Sequence, residues 1–82
     1  MIESVLVTLV MESNSFLADM ELPARIGIEE LAEKLLKALK QYRPEKFFDI
    51  NHLSLAFSGD ELPKDSTLEK EGVWDGNILE LR

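Results

Sequence analysis

Two stretches near the start of the chain, Val5 to Met11 and Phe16 to Leu22, limit what it can fold into more than any other feature. Both are rich in strand-forming residues, and the intervening Glu12-Ser13-Asn14-Ser15 is a set of turn formers. With those four residues as the turn, Met11 faces Phe16, Leu9 faces Ala18, Val7 faces Met20 and Val5 faces Leu22. Every pair is apolar on both sides. A slip of one residue would turn the whole set to the solvent side, so the buried face dictates the register. An antiparallel hairpin of this kind needs something to cover its apolar face.

The cover comes next in the chain. Pro23-Ala24-Arg25-Ile26-Gly27 breaks the strand, and Gly27 can act as a weak N-cap. From there the apolar period changes to Ile28, Leu31, Ala32, Leu35, Leu39 and Tyr42, the stripe of an amphipathic helix. Glu29, Glu30 and Glu33 occupy its first turns, and Lys37, Lys40 and Arg43 its last, which complements the helix dipole. Glu30–Lys34 and Glu33–Lys37 are favourable pairs four residues apart. Pro44 disfavours a helical Arg43 and ends the element there or slightly earlier.

The remainder is strand-like again. Pro44 to Asn51 is a connection whose Phe47, Phe48 and Ile50 point to packing back on the core. Leu53, Leu55 and Phe57 then alternate with His52, Ser54 and Ala56 as a third strand. Ser58-Gly59-Asp60 turns the chain, Glu61-Leu62 leaves room for a very short fourth strand, and Asn77 to Arg82 forms the last, with Leu79 and Leu81 inward. The expected inward set is Val5, Val7, Leu9, Ala18, Met20, Leu22, Leu31, Leu35, Leu39, Leu55, Phe57, Leu79 and Leu81.

This order predicts an α+β fold, ββαββ: a mixed four- to five-stranded sheet with one helix on one face. The first and last strands are the most apolar and suit the centre. A right-handed crossover through the helix lets them run parallel, while the alternating second strand and the short fourth suit the edges. That is the β-grasp arrangement. Residues 1–82 are expected to form a single domain, near the lower size limit for a core without cross-links.

Composition narrows the function. With no cysteine, the chain has neither disulfides nor thiolate chemistry. Met1-Ile2-Glu3-Ser4 lacks the features of a signal peptide, and Val5 to Met11 is too short to span a bilayer, so a cytoplasmic location without membrane insertion is expected. Sixteen acidic against nine basic residues give a formal charge of −7, which repels nucleic acid and favours basic partners. Its single histidine, His52, shares a predicted strand face with Ser54, where side chains point in parallel rather than at one another. The acids Asp60, Glu61 and Asp65 lack the ligand spacing of a calcium loop, and the four glycines are scattered at turns rather than gathered in a phosphate cradle. No catalytic, cofactor or metal site is expected.

A protein-binding face is expected instead. The hairpin register puts Val10 beside Leu17 on the side away from the core, with Leu6 further along the first strand and Ile78 outward on the last. These four form either one apolar patch or a scatter of single exposed residues. Trp74, after the loop anchor Val73, fits either a lid over the core edge or a contact residue.

The stretch from Leu53 to Arg82 resembles the second half of ubiquitin-like domains: Leu62 and Leu68 take the places of the leucines that bracket ubiquitin's surface loop. Gly72-Val73 and Asp75-Gly76 match the turn before the final strand. Ala56 and Arg82 stand where ubiquitin has large aliphatic residues of its recognition patch, and Leu81-Arg82 where a conjugating or sulfur-carrying relative would continue to a diglycine, so no conjugation is expected. Leu68, Gly72, Val73, Asp75, Gly76, Asn77, Leu79, Glu80 and Leu81 further resemble the closing run of the YukD family, bacterial ubiquitin-like proteins of type VII (WXG-protein) secretion. The resemblance implies a non-enzymatic, cytoplasmic accessory or regulator of that machine. Its implied partners are secretion components such as the membrane ATPase. A generic ubiquitin-like adaptor in another complex is the alternative.

Overall fold

In the computed structural model, β1 (Ser4–Met11) and β2 (Phe16–Pro23) pair antiparallel, with Met11 opposite Phe16, Leu9 opposite Ala18, Val7 opposite Met20 and Val5 opposite Leu22. The expected register is the observed one. The model describes residues 3–82; Met1 and Ile2, part of the leader reading, lie outside the described residues. The turn is a single 3-10 turn, Glu12–Asn14, closed by Ser15 in the left-handed region at φ 58°.

The helix α1 spans Ile28–Tyr42, with Gly27 as its N-cap. Gly27 has no side chain to cap the first turn, so backbone carbonyls elsewhere take the orphan amides: Ile28 N–H donates to Ser66 O at 2.9 Å and Glu29 N–H to Lys64 O at 3.2 Å. Five residues of the predicted stripe are buried, Ile28, Leu31, Ala32, Leu35 and Leu39, but Tyr42 is exposed. The chain turns at Arg43 into a short helix, α2 (Pro44–Phe47), whose fully buried Phe47 fills the core at that end. Its ring meets Phe16 edge-on, with centroids 5.0 Å apart and planes at 84°. Phe48, expected to pack with it, is exposed, because its backbone continues the helical turn and carries its side chain away from Phe47.

Three further strands complete the sheet: β3 (Leu55–Phe57), β4 (Asp60–Glu61) and β5 (Ile78–Leu81). Their order is β2-β1-β5-β3-β4, with β1 and β5 central and parallel and β2 and β4 at the edges, as the apolar content predicts. Strand β3 starts later than expected, so His52 precedes it and is exposed, although Ser54 and Arg82 still exchange backbone hydrogen bonds at 2.8 and 2.9 Å. Ser58 and Gly59, at φ 53° and 87°, form the two-residue link to β4, the positive-φ pair that a tight hairpin of this hand requires.

The core lies between α1 and one face of this sheet. Most of the expected inward set is buried, including Leu9, Leu39 and Leu79 with no exposed surface. Ala18, Met20 and Phe57 pack against it but remain partly open, the first two on an edge strand and the third at the mouth of a turn. Ala56 departs the other way. Its side chain is on the outer face yet is 1% exposed, since the longer Glu80 and Glu61 flank it on the neighbouring strands.

Candidate docking face

The face of the sheet away from α1 follows directly from the register. One row across it reads Leu17, Val10, Glu80, Ala56 and Glu61. The next reads Asp19, Thr8 and Ile78, and a third holds Glu21 opposite Leu6. Val10 and Leu17 are therefore direct cross-strand neighbours. Ile78, beside Thr8, is diagonal to Val10 on one side and to Leu6 on the other, a separation that long side chains bridge. The four residues singled out from the sequence thus share one face as a zigzag along β1. Leu17 is 69% exposed, Ile78 60% and Leu6 52%, with Val10 half-buried between them.

Polar side chains interrupt and border the strip. The Thr8 hydroxyl donates to Asp19 at 2.6 Å, and the Ser4 hydroxyl donates to Glu21 at 2.7 Å. Glu80 accepts from the Arg82 guanidinium, at 2.9 Å from Nε and 2.7 Å from Nη2. Asp19, Glu21 and Glu80 are accordingly held in place by short local contacts, which lowers the entropy lost when a partner arrives.

Trp74 sits at the Leu6 end. Its backbone N–H donates to the Asn77 side-chain oxygen at 2.7 Å, and the Asp75 carboxylate accepts from the Leu6 backbone N–H at 2.8 Å. The Gly76 N–H, at a positive φ of 88°, donates to Leu6 O at 2.8 Å. These contacts fasten the loop to β1 and leave Trp74 51% exposed while Val73, its neighbour, is fully buried. A half-exposed tryptophan on a fastened loop is available as a contact.

Sequence reasoning turned Ala56 outward but did not count it with the apolar strip on this face. Because its side chain is small, Val10, Ile78 and Glu80 surround a shallow depression there. The clue was available in the strand order, since extending the Leu17–Val10 row across β5 reaches β3 at Ala56. Chemically, the face offers apolar area with fixed acids around it.

Comparison with known proteins agrees with this architecture. No curated protein matches the chain in sequence. Among solved structures, it is similar to the ubiquitin-like domain of the Mycobacterium tuberculosis type VII secretion system protein EccD1, with 22% identity, 98% of each chain covered and a TM-score of 0.77. The EccD5 ubiquitin-like domain from Mycobacterium xenopi gives 19% identity, 99% and 94% coverage and the same TM-score of 0.77. A subunit of the ESX-5 inner membrane complex free of MycP5 matches 99% of this chain with 21% of its own length, at 20% identity and a TM-score of 0.82. These likenesses establish the ubiquitin-like β-grasp fold. The model of the family described as "WXG100 protein secretion system (Wss), protein YukD" matches residues 5–81. A match of that extent settles the lineage: the chain belongs to the YukD family of the WXG100 protein secretion system.

Proposed function

We propose that this protein serves type VII (WXG-protein) secretion as a non-enzymatic docking module in the cytoplasm. It engages protein components of the secretion machine, such as the membrane ATPase, through the strip of Leu6, Val10, Leu17 and Ile78 with Trp74 at its end. The observation that carries the reading is the family match over residues 5–81. One feature supports the choice of face and another the setting. An aliphatic strip with fixed acids around it suits a modest, reversible contact with a partly basic partner. The similar domains named above belong to a secretion system protein and to a subunit of a membrane complex, so a domain of this shape works there beside other proteins. No helix among the described residues is long and apolar enough to cross a membrane, which fits a role beside the membrane components.

The test is to replace Leu17 by Asp, and separately Val10 by Asp, in the native cell. Both variants should stay folded, recover less of the secretion components on purification and export less WXG substrate. Folded variants with normal recovery and export would exclude this face. Normal export after deletion of the whole gene would remove the secretion role itself.

A further inference from the structure

The opposite side of the molecule holds a second concavity. Where β4 ends after Glu61 the chain leaves the sheet at Pro63, so the flank of α1 above this edge is not fully covered. A groove of about 130 Å³ results, between that flank and the segment running into β3. Ala32, Leu36, Leu53, Leu55 and Leu62 contribute its apolar lining, Leu36 being half-buried on the rim. This volume is close to that of an engineered apolar cavity known to take one benzene ring. It therefore fits one large side chain.

The rim is charged in one sense. Glu29 and Glu33 line the groove from α1, and Lys64 is the one basic residue beside it. Neither carboxylate has a cation within ion-pair distance among the described residues. Glu33 is informative here. Glu30 pairs with Lys34 four residues on, at 3.0 Å, whereas Glu33 stands in the same relation to Lys37 and forms no such pair. On the helix surface Glu29, Ala32, Glu33 and Leu36 are neighbours at spacings of three and four, so two acids and two apolar residues share one flank.

We infer that this groove is a docking site for a segment of a partner protein that presents one large apolar side chain flanked by lysine or arginine. The apolar side chain fills the groove while the flanking cations meet Glu29 and Glu33, which lack them. A second copy of this chain is a poor occupant, since it carries a formal charge of −7. The site lies on the helix side of the sheet, so it is independent of the outer face proposed above.

The experiment titrates the ¹⁵N-labelled chain with a blocked Lys-Arg-Leu-Arg-Lys peptide and follows the amide signals. Saturable shifts are expected at Ala32, Glu33, Leu36, Leu53 and Leu62. A matched peptide with glutamate for each base, and one with glycine for leucine, should give none. Glu33→Lys, an exposed helix position, should keep a native spectrum and weaken the first peptide about tenfold. Leu17→Asp, on the other face, should leave it unchanged. The inference is overturned by absence of saturable shifts, by shifts centred on Val10 and Leu17, or by equal binding of a control peptide. Unaltered affinity in folded Glu33→Lys overturns it too, as do shifts of the groove residues on concentration of the chain alone, which would make a second copy the occupant.

Discussion

Asn14 and Lys46 each hydrogen-bond the other's backbone. The Asn14 side-chain amide donates to Lys46 O at 2.9 Å, and the Lys46 ammonium donates to Asn14 O at 2.7 Å. The remaining Asn14 oxygen accepts from the Phe16 N–H at 3.2 Å. One turn residue thereby fixes the β1–β2 hairpin and clamps it to α2, where Phe47 is brought edge-on to Phe16.

Asn14→Ala should lower stability by about 1–3 kcal/mol, because two partly buried hydrogen bonds are lost and the Lys46 carbonyl is left without its donor. Lys46→Met keeps the aliphatic stem and removes only the ammonium, so it should cost less. The double variant should cost less than the two single effects added, which urea denaturation of all four proteins will read as a coupling. Strict additivity would mean that the clamp does not act as a unit.

The two adjacent phenylalanines should separate sharply. Phe47→Ala removes a fully buried ring and should cost about 3–5 kcal/mol. Phe48 is 72% exposed, and Phe48→Ala should stay within about 0.5 kcal/mol. Similar urea midpoints for the two variants would contradict the placement of α2.

That contrast also shows where the sequence was legible. The β1–β2 register could be read because a single rule, period-two pairing, applied to fourteen residues and had one apolar solution. The helix could be read through Leu39 for the same kind of reason. Tyr42 was placed on the stripe but is exposed at the helix end, and Phe47 and Phe48 could not be sorted, because the stretch after Pro44 has no period and its fate depends on where α2 turns the chain. Of the docking face, the sequence identified Leu6, Val10, Leu17 and Ile78 as outward, since alternation alone decides that. Ala56 was assigned outward too, but its burial depends on what stands on the two flanking strands, which requires the order β5-β3-β4. The groove beside Leu36 was invisible, as it arises from the early end of β4.

Gly27 offers a stabilising change. Its φ of −61° and ψ of 145° are open to any residue, and a Cβ there would come no closer than 3.9 Å to Lys64 O. With the Ile28 and Glu29 amides already satisfied by Ser66 and Lys64, the Glu30 amide is the donor that a serine hydroxyl can cap. Gly27→Ser should gain about 0.5–1.5 kcal/mol from the cap and from a less flexible unfolded chain. Calorimetry should show a higher Tm, and a lower one would mean that the 63–67 loop does not tolerate the side chain.

Glu45 supplies a pH test. The Arg43 guanidinium, hydrogen-bonded to it at 2.6 Å, holds its carboxyl below the ordinary value, with a smaller contribution from the backbone at the start of α2. A carboxyl with a depressed folded pKa stabilises the fold above its unfolded value, and that contribution is lost as pH falls through the folded one. Arg43→Gln should raise the Glu45 pKa toward the ordinary carboxylate range in an NMR titration. Because Glu45 is exposed and Arg43 only partly covered, Tm near neutral pH should barely move. An unchanged Glu45 titration would show that the arginine is not the cause.

The two faces of the β1–β2 hairpin should respond oppositely to the same chemistry. Leu9 is fully buried and Leu17, on the partner strand, is 69% exposed. Leu9→Asp puts a carboxylate where no partner or water can meet it, and the chain should fail to fold. Leu17→Asp loses only its cross-strand contact with Val10, so it should cost no more than about 1 kcal/mol. It also adds a negative charge to a face that already carries Asp19, Glu21 and Glu80, which further disfavours any acidic partner and removes apolar contact area for every partner. Urea denaturation of Leu17→Asp must therefore accompany any docking measurement. A native-like midpoint with lost docking assigns the loss to the face, whereas a midpoint shifted as far as that of a core variant would show that Leu17 is not outward at all.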